Sequence, residues 1–213
     1  AIPSTSVFLS IRATDSHLDK VWYTVNGSTN VTFSGNASIS LPGDGWWSVS
    51  AWANDTLGHV SSAASVIVLV DTIWPQITIL APGNMSKLTT GTVPYVVQIV
   101  EKNLDDAWYV LDGGSPVIIM GNGSIVVPDG THLLVFYAND TAGHVNASAT
   151  MQFSVDTLIP VVTIINPLPS AVFASDAIML NVTVLDANFD KVWYDIDGGA
   201  TVVFSGNASI ILP

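Results

Sequence analysis

The chain has 213 residues, a length that fits one large domain or two to three small ones. Charged residues make up only 10% of it, and 5 Lys and Arg against 17 Asp and Glu give a formal net charge of −12 at pH 7. This charge repels phosphate backbones and argues against nucleic-acid binding. The absence of Cys excludes disulfides and thiolate metal sites.

The apolar segments are too short to cross a membrane as helices. The longest runs, such as residues 66–70, have the length of a strand, well below the roughly 18 apolar residues of a spanning helix. We therefore expect no membrane span in this segment. No signal peptide starts at Ala1, so such a peptide has been removed or these residues belong to a longer protein.

A repeat of 85 to 86 residues runs through the chain. Its clearest marker is a Leu/Phe-Asp-x-x-Trp-Tyr motif, in which Trp22 is followed at that spacing by Trp108 and Trp193. A second marker, Ala-Asn-Asp-Thr, begins at Ala53 and again at Ala138. Recurrence of both motifs in register indicates a tandem array of one structural unit.

Within each repeat the hydrophobic period is two, and short runs of Val, Ile, Thr and aromatic residues alternate with Gly, Asn, Asp and Pro clusters. This pattern predicts an all-β fold of Greek-key sandwiches. In the complete middle copy the predicted strands are, in chain order, 76–81, 94–101, 107–111, 116–120, 124–127, 131–138 and 147–156.

Two short joints, residues 71–75 and 156–160, separate the copies and each ends in a Pro, which predicts stiff connections. The predicted domains are residues 1–71, without a counterpart of the first strand, the complete repeat 72–156, and residues 157–213, without counterparts of the last strands. We interpret this as a window from a longer array. The alternative is that neighbouring molecules complete these domains by strand addition.

Comparison of the copies assigns the faces of the strand that carries the Trp-Tyr motif. Tyr23 and its counterparts Tyr109 and Tyr194 lie on a face that is apolar in every copy, which predicts that this face is the core. The Trp face is mixed, so we expect it to point outward, with a core position for the Trp as the alternative.

Further apolar side chains alternate with core positions and are predicted to point outward, where they would form a self-association or glycan-contact surface. Together with the three Trp residues, the candidate contacts are Trp22, Trp108, Trp193, Ile67, Leu69, Ile118, Leu133, Val135 and Tyr137.

Of 13 Asn residues, 10 begin an Asn-x-Ser/Thr triplet, the acceptor motif for covalent N-linked glycans. The position shared by all three copies, Asn36, Asn122 and Asn207, is the best candidate. Asn54 and Asn139 are explained as well by turn formation through side-chain hydrogen bonds. The full set is Asn26, Asn30, Asn36, Asn54, Asn84, Asn122, Asn139, Asn146, Asn181 and Asn207.

The sequence predicts no catalytic residues and no cofactor, because nucleophile motifs and phosphate loops are absent. The acidic residues are expected to act in turns and caps. The alternative is a Ca²⁺ site at a joint, drawn from Asp71, Asp156, Glu101 and Asp105. His59 and His144 recur but are expected to stand alone, without a metal-ligand cluster.

The repeat resembles the tandem immunoglobulin-like modules of prokaryotic, especially archaeal, cell-surface and S-layer-type proteins. The resemblance rests on Asp-Thr-x-x-Pro, Leu-Asp-Lys-Val-Trp-Tyr, Asp-Gly-Gly and Tyr-Ala-Asn-Asp-Thr-Ala-Gly-His and covers essentially the whole chain. It implies tandem immunoglobulin-like Greek-key β-sandwiches with an extracellular structural or adhesive role, and it brings no catalytic residue. Gly58-His59 and Gly143-His144 depart from the Gly-Asn of the common pattern.

These observations predict a non-enzymatic protein of an extracellular filament, sheath or surface layer, whose partners are copies of itself. One alternative is an adhesin or carbohydrate-binding stalk in which Trp22, Trp108 and Trp193 bind surface glycans. Another is the accessory module of a secreted hydrolase.

Overall fold

The computed structural model describes residues 1–212, which form β-strands joined by turns. In chain order the strands are β1 (Ser6–Ser10), β2 (Leu18–Val25), β3 (Val31–Phe33), β4 (Asn36–Ser40), β5 (Gly45–Asp55), β6 (Ala64–Val70), β7 (Gln76–Ala81), β8 (Ser86–Leu88), β9 (Thr92–Val100), β10 (Leu104–Leu111), β11 (Val117–Ile118), β12 (Gly123–Val126), β13 (Gly130–Asp140), β14 (Val145–Ala147), β15 (Met151–Val155), β16 (Val161–Asn166), β17 (Ala177–Leu185), β18 (Val192–Tyr194), β19 (Val202–Phe204) and β20 (Asn207–Ile211). Within this range there is no helix that could cross a bilayer.

The backbone forms two compact units. The first comprises residues 1–86, 93–125 and 131–153, and the second comprises residues 87–92, 126–130 and the chain from residue 154 onward.

In the first repeat a four-stranded sheet, in the order β3-β2-β5-β6, packs on the two-stranded sheet β1-β4. Ile39 and Leu41 from one sheet and Val49 and Val70 from the other form the buried core. Tyr23 packs against this cluster, as its predicted core orientation requires.

The middle repeat has the sheet β11-β10-β13-β15-β8, with β14 paired to β13, opposite the three-stranded sheet β12-β9-β7. The chain therefore passes from β9 in one sheet to β10 in the other, and from β12 back to β13. These crossings are those of an immunoglobulin-like Greek key. Aromatic rings fill the space between the sheets, because Tyr95 lies 5.3 Å from Phe136 and 5.8 Å from Tyr109, centroid to centroid.

In the second unit, the third repeat contains the sheets β16-β17-β20 and β18-β19. Ile178, Leu180 and Val182 from β17 pack with Val192 and Ile210 in its core. Among residues 1–212, β18 pairs with β19 alone.

The predicted all-β, immunoglobulin-like architecture is confirmed, and the predicted strands of the middle copy recur within a few residues. Two details were wrong. The short strand β8 was not predicted, and the region predicted as a single strand over 147–156 contains parts of two strands, β14 and β15. Ser148 separates them, because its Oγ accepts a hydrogen bond from the Phe136 amide at 3.0 Å and donates one to the Ala149 carbonyl at 2.9 Å.

A β-bulge recurs at the start of the strand that carries the Trp-Tyr motif. The register between β2 and β5 shifts between Leu18 and Lys20, and that between β10 and β13 shifts between Leu104 and Asp106. Each bulge leaves one Asp, Asp19 or Asp105, out of the pairing.

Replacing Phe136 by Ala should destabilise the protein by about 3–5 kcal/mol, because the buried ring leaves a cavity between Tyr95 and Tyr109. Leu133→Ala, at an exposed position of the same strand, is the control and should cost about 1 kcal/mol or less. Urea unfolding followed by intrinsic fluorescence measures both losses. Equal losses would show that Phe136 is not a core residue.

Candidate functional site

The outward face of the Trp-bearing sheet carries an aromatic pair in each of the first two repeats. Trp22 lies opposite Trp52 in register, with ring centroids 6.4 Å apart and an interplanar angle of 12°. Trp108 lies opposite Tyr137, at 5.5 Å and 5°. Both pairs are only partly buried. Each ring therefore has one face covered by its cross-strand partner, an arrangement that stabilises strand pairing.

In the middle repeat this pair belongs to a continuous apolar row. Ile118, Trp108, Tyr137 and Ala147 follow one another in register across β11, β10, β13 and β14. We call these four residues the outer row. Ile118 at its edge is exposed, and none of the four side chains carries a charge.

The remaining predicted contact residues differ in exposure. Ile67 and Leu133 are exposed, whereas Leu69 and Val135 are half-buried. Trp193 is 61% exposed and lies opposite Val203. The structure thus places these residues outside the cores, and their role as contacts stays a prediction.

Both joints are fixed by the same set of hydrogen bonds. Asn103 Nδ2 donates to Asp71 Oδ2 at 2.7 Å, and in the third repeat Asn188 Nδ2 donates to Asp156 Oδ2 at 2.6 Å. The residue after each Asp is held in turn, because the backbone amide of Thr72 donates to Asp44 and that of Thr157 donates to Asp129, both at 2.9 Å. These bonds agree with the stiffness predicted from the Pro residues.

At the first joint three carboxylates converge. Asp71, Glu101 and Asp140 each place an oxygen within 4.8 Å of the others. Asp71 and Asp140 are 2% and 1% exposed, and Glu101 Oε2 is buried without a hydrogen-bond partner in the described part of the chain. Carboxylate oxygens are the ligands that Ca²⁺ prefers, so this cluster could hold a divalent cation.

Two of the four residues considered for a Ca²⁺ site, Asp71 and Glu101, are brought together. Asp105 instead accepts a hydrogen bond from Asn139, and Asp156 accepts one from Asn188. The third member of the cluster, Asp140, was missed. Its signal in the sequence is the repeated Asp-Thr-x-Gly-His motif.

Neither recurring His stands alone, so that expectation was wrong. His144 Nδ1 lies 2.7 Å from Asp140 Oδ2, and His59 Nδ1 lies 2.7 Å from Asp55 Oδ2. In both motifs the other carboxylate oxygen accepts the amides two and four residues later. The His144 ring also stacks on Trp74 of the joint, with centroids 5.0 Å apart.

In both Asp-His pairs the pKa of the Asp is lowered. The hydrogen bond to Asp55 raises the pKa of His59, and the same bond, with the backbone amides, lowers the pKa of Asp55. Burial acts to raise the pKa of Asp140, but the hydrogen bonds from His144 and from the amides of His144 and Ala142 outweigh it and hold this pKa below its usual range. Both Asp residues are therefore favoured as carboxylates in the folded state.

The sequon Asn residues fall into different environments. Asn54, Asn139 and Asn146 use Nδ2 as a hydrogen-bond donor. Asn181 is half-buried, and its register partners are Asn166 and Asn207. The other six are exposed: Asn26, Asn30, Asn36, Asn84, Asn122 and Asn207.

No family model and no curated protein matches the chain. Similar solved structures include the fibronectin(III)-like modules of Clostridium thermocellum CbhA, with 16% identity and a TM-score of 0.39 over 71% of this chain and 85% of that one. A 1.5-MDa bacterial ice-binding adhesin has 18% identity and a TM-score of 0.39 over 97% and 79%. Bacteroides ovatus SGBP-B, solved with a mixed-linkage heptasaccharide, has 11% identity and a TM-score of 0.30 over 100% and 65%. Similarities this distant carry no conclusion about activity or partners.

Replacing Asp140 by Asn should weaken the dependence of stability on acid. Because its folded pKa is lowered, the Asp140 carboxylate stabilises the protein above the unfolded value of about 4, and this contribution is lost as the pH falls through the folded pKa. Urea unfolding from pH 7 to about pH 3 should show a shallower loss for Asp140→Asn than for the wild type. The control, Asp176→Asn, changes an exposed residue and should keep the wild-type slope. A wild-type slope in Asp140→Asn would contradict the role assigned to this carboxylate.

Proposed function

We propose that the chain belongs to a non-enzymatic structural protein of an extracellular filament, sheath or surface layer, built by lateral and end-to-end contacts of glycosylated immunoglobulin-like domains. The observation that carries the proposal is the apolar outer face of the strands. In the middle repeat Ile118 is 62% exposed and continues in register into Trp108, Tyr137 and Ala147. Contiguous exposed apolar surface marks interaction sites on soluble proteins.

The partner proposed for this face is a second copy of the chain. The outer row is uncharged, and Asp44, Asp71, Asp129 and Asp140 make hydrogen bonds in turns and joints. The proposed contact between two outer rows therefore centres on uncharged side chains, with the exposed Asp106 two positions before Trp108 on the same strand face. Covering this surface would supply roughly 25 cal/mol per Å² toward association.

The extracellular location and the archaeal, S-layer-type setting are part of the same proposal. They are supported by the resemblance of the repeat motifs and by the 10 sequons, since covalent glycans belong on extracellular surfaces. Strand exchange between neighbouring molecules, at the first and third repeats, is a further route to end-to-end assembly.

A carbohydrate-binding stalk is the second candidate. The exposure of Trp193 favours it, because a free indole face can stack on a sugar ring. Trp22 and Trp108 favour it less, since each has one ring face covered by Trp52 or Tyr137.

Replacing Ile118 by Glu should raise the protein concentration needed for assembly tenfold or more, because a charge placed in the apolar contact costs about 1.4 kcal/mol or more. Gln98→Glu adds the same charge at an exposed polar position and should assemble as the wild type does. Sedimentation and electron microscopy of the full chain measure both.

Ordered polymers of the wild-type protein and their loss in Ile118→Glu support the proposal. Dispersed wild-type particles that bind glycans would contradict it and favour the carbohydrate-binding stalk. Equal assembly of Ile118→Glu and Gln98→Glu would show that the outer row is not the contact.

A further inference from the structure

The side-chain amides of the sequon Asn residues are not equally available for modification. An N-linked glycan occupies Nδ2, leaves that nitrogen one hydrogen, and needs open space around it. An Asn whose Nδ2 is bonded within the fold keeps at most one hydrogen for that contact after glycosylation, and its sugar must fit beside a half-buried amide.

Asn139 and Asn54 hold the β-bulges. Asn139 Nδ2 donates to Asp105 Oδ2 at 3.0 Å while its Oδ1 accepts the Asp106 amide at 3.0 Å. In the first repeat Asn54 Nδ2 donates to Asp19 Oδ2 at 3.0 Å and to the Asp55 carbonyl at 3.1 Å. In both repeats the Asn amide thereby ties the side chain of the bulged Asp to the neighbouring strand.

Asn146 is committed to the first joint. Its Nδ2 donates to the Pro75 carbonyl at 2.8 Å, and its Oδ1 accepts the Ala147 amide at 2.8 Å. The sequon hydroxyl is occupied as well, because Ser148 Oγ bonds to the Phe136 amide and the Ala149 carbonyl. Both the Asn146 amide and the Ser148 hydroxyl of this sequon are therefore engaged in hydrogen bonds within the fold.

At the sequon position shared by the three repeats, the Asn amide is exposed and not used as a donor within the described part of the fold. Asn36, Asn122 and Asn207 are exposed, and Nδ2 of each has no hydrogen-bond partner within residues 1–212. Each follows a Gly with positive φ, at 92° for Gly35, 143° for Gly121 and 92° for Gly206, and lies at or just before the start of β4, β12 or β20. Asn26, Asn30 and Asn84 are likewise exposed, with Nδ2 free in that range.

We propose that N-glycosylation is selective: the exposed sequons, led by Asn36, Asn122 and Asn207, carry glycans, whereas Asn54, Asn139 and Asn146 stay unmodified because their amides are structural. This inference rests on the extracellular role proposed above. It distinguishes sequons whose Asn Nδ2 donates a hydrogen bond within the fold from sequons whose Nδ2 is exposed and has no partner within residues 1–212.

The modification requires a lipid-linked oligosaccharyl phosphate or pyrophosphate as the sugar donor and a transferase. Nδ2 forms the bond to the anomeric C1 of the sugar, and the C1–O bond to the donor phosphate breaks with its electron pair leaving on that oxygen. One Nδ2 proton passes to a base of the transferase. The product is a glycosyl amide in which Nδ2 keeps one hydrogen.

The expected state of Asn181 depends on whether its register partner, Asn207, carries a glycan. Asn181 lies opposite Asn207 in register, so the two Cβ atoms are about 5 Å apart. Two glycans cannot leave the sheet from such adjacent positions, and Asn181 is half-buried. A chain with a glycan on Asn207 should therefore have none on Asn181.

Glycopeptide mass spectrometry of the native protein tests the selection. We expect sugar on Asn36, Asn122 and Asn207 and none on Asn54, Asn139 or Asn146. Sugar on any of the last three, or no sugar anywhere, overturns the inference. Electron microscopy of the same sample separates the two proposals. Ordered polymers without glycans overturn the selection but leave the proposed assembly standing, and dispersed particles with selective glycans overturn the assembly but leave the selection standing.

A second arm uses unglycosylated full-length chain. Asn139→Asp removes the donor and places a carboxylate against Asp105, so its Tm should fall by about 4 °C or more. Asn36→Asp introduces the same chemical change at an exposed amide and should leave Tm close to that of the wild type. Equal Tm values for the two variants would show that the Asn139 amide is not structural and would overturn the basis of the selection.

Discussion

The side chains of a β-strand alternate between two faces, and in this chain both faces carry apolar residues. On β13, Leu134, Phe136 and Ala138 point into the sandwich and are fully buried. Leu133 and Tyr137, which alternate with them along the strand, point the other way. The sandwich can cover only one of these two sets. The location of the outer row, the aromatic pair within it and the proposed assembly all follow from this division.

Many of the acidic side chains form hydrogen bonds in loops and joints. Asp side chains accept backbone amides in the Asp-Thr-x-Gly-His loops, bond Asn side chains at the joints and bulges, and meet as a cluster at Asp71, Glu101 and Asp140. Charge in this protein fixes loop geometry, which leaves Ser, Thr and Asn to hydrate the strands. An exposed apolar strand surface of this kind is typical of interaction sites.

Periodicity was enough to find the strands and the core face of the Trp-Tyr motif, because both depend on neighbouring residues. Contacts between distant residues were harder to find. Asp140 lies 69 positions from Asp71 along the chain, so no local pattern joins them. The structural role of Asn139 depends on a bulge at Asp105, and the sequence does not show where pairing slips. Under the proposed selection, fewer sites suit a glycan than the sequon motif alone suggests.

Hydroxyl-radical footprinting of native material, read by mass spectrometry, tests most directly whether copies of the chain cover the outer faces. Oxidation of Ile118, Trp108 and Tyr137 would be compared between assembled protein and the same protein dispersed by dilution or mild denaturant. If copies of the chain associate through the outer row, these side chains should be protected from oxidation in the assembled state. Met120, a fully exposed loop residue, is the reference for general shielding. Equal oxidation of the outer row in both states would contradict this association.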